Sequence, residues 1–184
     1  DLQTFFEHRG DVRGRKVAWV GDGNNMCNTY IEAAQLFEFE LSVACPRGFE
    51  PKVADYVRQP ARITLTTDPA EAVDNADLVV TDVWISMGQE SEAAARRATF
   101  AGYQVDEALM ARARPDALFM HCLPAHRGEE VSAEVIDGPQ SVVWKVHADF
   151  SAMMVGGLSS LMIQALHPRA LAAVWDHSNF RHQL

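Results

Sequence analysis

Short apolar runs alternate with capped or amphipathic helical stretches along most of this chain, and that alternation limits the fold more than any other feature. Lys16 to Val20 reads as a buried strand that ends in Gly21-Asp22-Gly23-Asn24-Asn25, and a helix follows from about Met26 to Phe37. Leu41 to Cys45 is a second strand, stopped by Pro46, and Pro51 opens a helix to Arg58 from the first-turn position that proline favours. Ile63 to Thr66 is a short β-branched strand. Asp68-Pro69-Ala70-Glu71 then supplies an N-cap, a proline at the first helical position and an acidic residue in the first turn. Leu78 to Val83 is the fourth strand, and a helix runs from about Glu90 to Ala98. Asp106 caps a short helix that ends before Pro115, and Ala117 to Leu123 is the fifth strand. Strand and helix repeated in this way predict an α/β fold: a Rossmann-like three-layer domain whose parallel sheet is covered by helices on both faces.

Composition narrows the partners. The chain has 184 residues, 48% of them hydrophobic, which is enough for a buried core. Its formal charge of -9, from 25 acidic against 16 basic residues, disfavours a nucleic-acid surface and favours metabolites as ligands. Cys27, Cys45 and Cys122 form no CxxC pair, so neither a disulfide framework nor a structural zinc site is expected, and a reducing cytoplasm suits them. No apolar run is long enough for a membrane span, because Ala152 to Leu166 is interrupted by Gly156-Gly157, Ser159-Ser160 and Gln164. Asp1 opens inside an amphipathic helix with Leu2, Phe5 and Phe6 on one side, and the sequence is expected to continue upstream.

Three strand ends carry polar groups, and in open α/β sheets ligands bind outside the strands' carboxyl ends. At the first, the glycines of GDGNN let backbone approach a ligand, and an asparagine offers both a donor and an acceptor. A strand-to-helix turn needs nothing more than this. It is a poor dinucleotide fingerprint, since Met26 stands at the third glycine position and no carboxylate ends the second strand. The second, Asp82-Val83-Trp84-Ile85-Ser86-Met87-Gly88-Gln89-Glu90, suits a small cationic or zwitterionic ligand; an Asx or serine turn with Trp84 and Met87 in the core is the plainer account. The third is His121-Cys122-Leu123-Pro124. Neighbouring residues on a strand face opposite ways, so His121 is badly placed to activate Cys122, and hydrolase chemistry is disfavoured.

Taken together, GDGNNMCNT, DVWISMGQE and FMHCLPAHRGEEVSAEVID closely resemble the ornithine-binding domain of ornithine carbamoyltransferases, over about residues 1–144. The resemblance implies that Asn25 holds the amino-acid end of ornithine and that Asp82 pairs with its α-ammonium. It further implies that Ser86 and Met87 lie in a loop closing over the ligand. Cys122 and Leu123 match positions at the junction with carbamoyl phosphate, which makes Cys122 the expected catalytic residue. The family's reaction uses no metal and no organic cofactor, and full-length relatives are homo-oligomers. The family's serine-threonine-arginine phosphate loop does not occur in these 184 residues, so carbamoyl phosphate is expected as a partner only with a complementing domain.

From Lys145 the pattern changes. KVHADFSAMMVGGLSSLMIQALHPRALAAVWDHSNFR resembles the opening helices of the mpaB and rubber-oxygenase-like family, chiefly through its GG, QALHPRA and HSNFR runs. Residues 145–184 are therefore expected to form a helical tail of different ancestry. No ligand role is carried over to His147, His167, His177 or His182.

Overall fold

The computed structural model describes residues 1–53, 62–86 and 88–143, all within one compact unit, Asp1–His147. The tail expected over 145–184, most of the helix expected from Pro51 to Arg58, and Met87 lie outside the described residues.

Five strands, β1 (Lys16–Val20), β2 (Glu40–Ala44), β3 (Ile63–Thr66), β4 (Leu78–Thr81) and β5 (Leu118–His121), form one parallel sheet in the order β3-β2-β1-β4-β5. The helices between them are α1 (Leu2–Arg9), α2 (Asn25–Phe37), α3 (Pro69–Val73), α4 (Ala93–Phe100), α5 (Glu107–Met110) and α6 (Ala133–Ile136). Side chains of successive strand residues leave the sheet on opposite faces, and the core divides accordingly. Val17, Trp19, Leu41, Val43, Leu78, Val80, Leu118 and Met120 join Phe5, Ile31 and Phe39 in one cluster. Ala18, Val20, Ala44, Val79 and Phe119 join Trp84, Phe100 and Ile136 in the other. A strand with both faces covered reads as a continuous apolar run rather than an alternating one, which is why β1, β4 and β5 were legible in the sequence. Full burial of each large aliphatic or aromatic side chain here contributes roughly 1.5–3 kcal/mol.

Local chemistry sets the helix starts. Asn24 caps α2 by accepting from the amides of Met26 and Cys27 at 2.9 and 3.1 Å. Asp68 accepts from Ala70 N at 2.8 Å and Asp106 from Leu109 N at 2.8 Å, as the sequence predicts for both. Several elements differ from expectation, among them β2, which runs Glu40–Ala44 and not Leu41 to Cys45. β4 and β5 stop at Thr81 and His121, so Asp82–Val83 and Cys122–Leu123 lie just past the ladder and not in it. Glu90–Glu92 forms a 3-10 turn, and the α-helix itself begins at Ala93. On α1 it is Thr4 and Phe5 that are buried, whereas Phe6 is 41% exposed.

The strand order reverses between β1 and β4. The chain leaves β1 toward β2 and β3 on one side, then returns to place β4 and β5 on the other. That reversal opens a crevice at the carboxyl ends of β1 and β4, bounded by the segments after Val20 and Thr81. Thr81 Oγ1 closes its floor by donating to the Val20 carbonyl at 2.6 Å. Gly23 is required beside it: a Cβ there would lie 2.4 Å from the Phe49 carbonyl oxygen, because the segment after β2 crosses directly over this turn.

Candidate functional site at the strand switch

Asp82 is the centre of the crevice. The residue is 8% exposed, and both carboxylate oxygens are engaged: Oδ2 accepts from Asn24 Nδ2 at 2.9 Å and Oδ1 from the Cys122 thiol at 2.9 Å. The donors come from the ends of β1 and β5, so three strand ends converge on one carboxylate. This also excludes the Asx-turn account of Asp82, whose partners are 58 and 40 positions away in sequence.

The Cys122 thiol is held well above its ordinary pKa, first by burial and then by the negative charge of Asp82 and the bond it donates there. It is thus a protonated donor and not a thiolate nucleophile. Cys45 and Cys27, deeper in the core, are raised by burial too, Cys45 to about 12.

A second carboxylate, Asp22, lies one strand away and has a different partner. Arg96, 6% exposed, donates from Nη2 to Asp22 Oδ2 and from Nε to the Trp84 carbonyl at 2.6 Å. Its guanidinium carbon lies 4.9 Å from the Phe49 ring centroid and 5.3 Å from that of Phe100. Burial raises the Asp22 pKa, and the Arg96 charge opposes that rise.

Beyond Cys122 the backbone turns sharply. Leu123 has φ 54, a left-handed conformation uncommon for a side chain of this size, and its amide donates to His121 Nδ1 at 2.9 Å. That bond places the ring proton on Nε2, which faces the fully buried Glu130 Oε1 at 3.2 Å. Glu130 Oε1 also accepts from His126 N at 2.6 Å, tying the loop after β5 to its own strand. One nitrogen each of His121, one oxygen of Asp82 and the Cys122 sulfur lie within 4.8 Å of one another, a spacing that would admit a cation. The chemistry argues otherwise, since both ring nitrogens of His121 are already committed, to Leu123 and to Glu130.

Of the residues singled out in the sequence, Asp82 and Cys122 are in direct contact, and Leu123 follows at the same strand end. Ser86 is half-buried in the segment after β4; its amide donates to Gln89 Oε1 at 3.0 Å while its carbonyl accepts from Gln89 N at 3.1 Å. Asn25 occupies the exposed first position of α2, and the amide reaching Asp82 belongs to its neighbour Asn24. Asn24, Asp22, Arg96 and the His121–Glu130 pair were not picked out. Asn24 carried a readable signal as an N-cap directly before a helical run. Arg96 carried none, because its partner Asp22 is 74 positions distant.

A doubly wound parallel sheet with a carboxylate, an amide and a thiol converging at its switch point defines an α/β ligand-binding domain. The chain belongs to the aspartate/ornithine carbamoyltransferase family: that family's Asp/Orn-binding domain matches residues 13–149. It is 63% identical over 145 residues to the ornithine carbamoyltransferase of Methylococcus capsulatus, covering 78% of this chain and 48% of that protein. It is 61% identical over 144 residues to the anabolic ornithine carbamoyltransferase of Pseudomonas aeruginosa, covering 78% and 47%. The solved ornithine carbamoyltransferase of Pyrococcus furiosus superposes with a TM-score of 0.73 at 48% identity, over 78% of this chain and 48% of that one. The chain thus spans about half the length of the curated relatives it matches. Residues 144–184 match a second family, the catalytic domain of the ER-bound oxygenase mpaB/B' and rubber oxygenase. Among the described residues, no helix is long and apolar enough to cross a membrane.

Proposed function

We propose that this chain supplies the ornithine side of carbamoyl transfer, in which carbamoyl phosphate and ornithine give citrulline and phosphate, a step of arginine biosynthesis. The observation that carries the reading is Asp82: a covered carboxylate whose hydrogen-bond donors are an amide and a thiol, both uncharged, so that its negative charge is available to a cationic ligand. The family's domain takes either aspartate or ornithine. Among the described residues the crevice offers carboxylate, amide and thiol, and its one guanidinium, Arg96, is engaged by Asp22. An anionic side chain would meet Asp82 unfavourably, whereas a diamino acid would not.

In this reading the α-ammonium of ornithine pairs with Asp82, its chain runs past Cys122, and the Ser86–Met87 segment covers it. Asn25, exposed at the start of α2, is the group for the ligand's carboxylate end. The side-chain amine must lose its proton before it attacks the carbamoyl carbon. Exclusion of water from the crevice lowers its pKa, and the protonated Cys122 adds no second negative charge that would raise it. Carbamoyl phosphate needs cationic groups for its phosphate, which belong to the family's other half, so turnover requires that half as well. A soluble cytoplasmic setting suits the three free thiols. The domain is proposed to end near residue 144, where the second family match begins.

Calorimetric titration with L-ornithine, L-aspartate and L-norvaline tests the assignment. Binding of ornithine in clear preference to aspartate is expected. Preference for aspartate, or no binding of any of the three, refutes it. Citrulline formation on addition of a separately produced carbamoyl-phosphate-binding half, supplied with carbamoyl phosphate, tests the transfer itself.

A further inference from the structure

Arg96 stands out because it is a buried cation whose hydrogen-bond partners both lie on other segments of the chain. It sits in the second turn of α4, yet none of its polar bonds is to that helix. One bond goes to the turn after β1, at Asp22, and another to the carbonyl of Trp84, two residues past Asp82. The flat guanidinium lies against an aromatic corner made by Phe49, from the segment after β2, and Phe100, from its own helix, whose rings meet edge to face with centroids 4.9 Å apart. Trp84 in turn lies against Phe100, with ring centroids 5.9 Å apart. Four separate segments therefore meet on one side chain.

Geometry gives this arrangement a consequence. After Trp84 the chain forms a short lobe, which Gln89 closes on Ser86 through its side chain and its amide. Gly88 turns its far end with φ 88. Its root, the peptide between Trp84 and Ile85, is fixed from outside by Arg96 Nε. The same guanidinium holds Asp22, two residues before Asn24, which in turn holds Asp82.

We propose that Arg96 is a positioning residue that locks the root of the Trp84–Gln89 lobe to the Asp22–Asn24 turn, so that Ser86 and Asp82 are presented to a ligand in fixed register. The proposal rests on the ornithine reading only for the identity of that ligand. Arginine is required because its planar fork spans two acceptors on different segments while its face lies against two rings. A lysine keeps the charge for Asp22 but has a single nitrogen and no plane to stack.

The test compares the full chain with its Arg96→Lys, Arg96→Met and Arg97→Met variants by hydrogen exchange with residue-level readout, followed by L-ornithine titration. Arg97, the next residue, is half exposed and pairs with Glu129, so it controls for general loss of helix charge. In Arg96→Lys the Ser86 and Gln89 amides are expected to exchange about tenfold faster or more, the loss that follows from removing a charge-assisted bond. Amides of β1 and β4, such as Val80, keep their wild-type rates, and Arg97→Met leaves the lobe unchanged. Ornithine affinity falls by about tenfold in step. Unchanged exchange at Ser86 and Gln89 in both Arg96 variants overturns the proposal. Uniformly faster exchange across the sheet in Arg96→Lys overturns it too, because Arg96 would then be a general scaffold residue. If the wild-type chain takes no ornithine while the lobe amides respond as expected, the ligand assignment falls and the positioning role stands.

Discussion

Asp22 and Asp82 are the same residue type, at the ends of adjacent strands, on the rim of one crevice, and they have opposite fates. Asp22 is matched by a buried arginine that itself lies against two aromatic rings, so its charge is spent inside the protein. Asp82 is held by an asparagine amide and a thiol, which fix its orientation without neutralising it. The difference shows how a fold separates a structural carboxylate from a ligand-facing one. Position at a strand end does not decide it; the charge of the nearest donor does.

The largest effect that can break this comparison is on stability. Asp22→Ala leaves the Arg96 guanidinium buried and unpaired, and loss of one partner from a buried pair costs about 3 kcal/mol. Urea denaturation of the variant is expected to show that loss, with ornithine affinity much less affected once the protein is folded. Asp82→Ala should do the reverse. Removing a charged acceptor from the ligand costs about 2 kcal/mol of binding, roughly a 30-fold weaker dissociation constant by calorimetry, while the midpoint of unfolding moves little. If the two variants gave the same pattern, the division of labour between the carboxylates would fail.

Asn24 links the two regions and is expected to show a smaller, mixed effect. Its Oδ1 caps α2 and its Nδ2 orients Asp82, so Asn24→Ala loses about 1 kcal/mol of stability together with part of the ligand affinity. Asn24→Ser keeps the cap but cannot reach Asp82 in the same way. Stability close to wild type with weakened binding in that variant would separate the two roles of one side chain.

The fold was legible because the strands announce themselves as short apolar or β-branched runs bounded by turn residues. Lys16–Val20 and Ile63–Thr66 form strands with the bounds their composition predicts, and the caps at Asp68 and Asp106 form as read. Strand ends were less legible. Val83 and Leu123 are apolar and extend their runs in sequence, but the ladder ends at Thr81 and His121, and the next residues, Asp82 and Cys122, bond to each other through their side chains. In the site, Asp82 and Cys122 were readable as polar groups at neighbouring strand ends. The choice of Asn25 over Asn24 depended on helix phase, which two adjacent asparagines do not reveal. Arg96 was hidden for a simpler reason: it sits beside Arg97 in a run of alanines, and only the assembled sheet shows that one faces Asp22 and the other solvent.

The smallest expected effect concerns the proton between Asp82 and Cys122. The thiol is raised above its ordinary 9.0 by burial first and by the Asp82 charge second, so in the folded chain it keeps its proton at pH values where the unfolded chain's thiol ionises. A folded pKa above the unfolded one contributes stability that is complete below about 9 and is lost as pH rises toward the folded value. Cys27 and Cys45 act in the same direction. Stability measured in urea should therefore decline between about pH 9 and 11, and Cys122→Ser should make the decline shallower without abolishing it. Asp82→Asn removes the second cause of the shift, so iodoacetamide should label Cys122 faster in that variant than in the wild type at pH 8.5, while Asp22→Asn leaves the rate near its original value. No acceleration by either substitution would mean that burial alone holds the proton on Cys122, and that Asp82 differs from Asp22 only in what it offers a ligand.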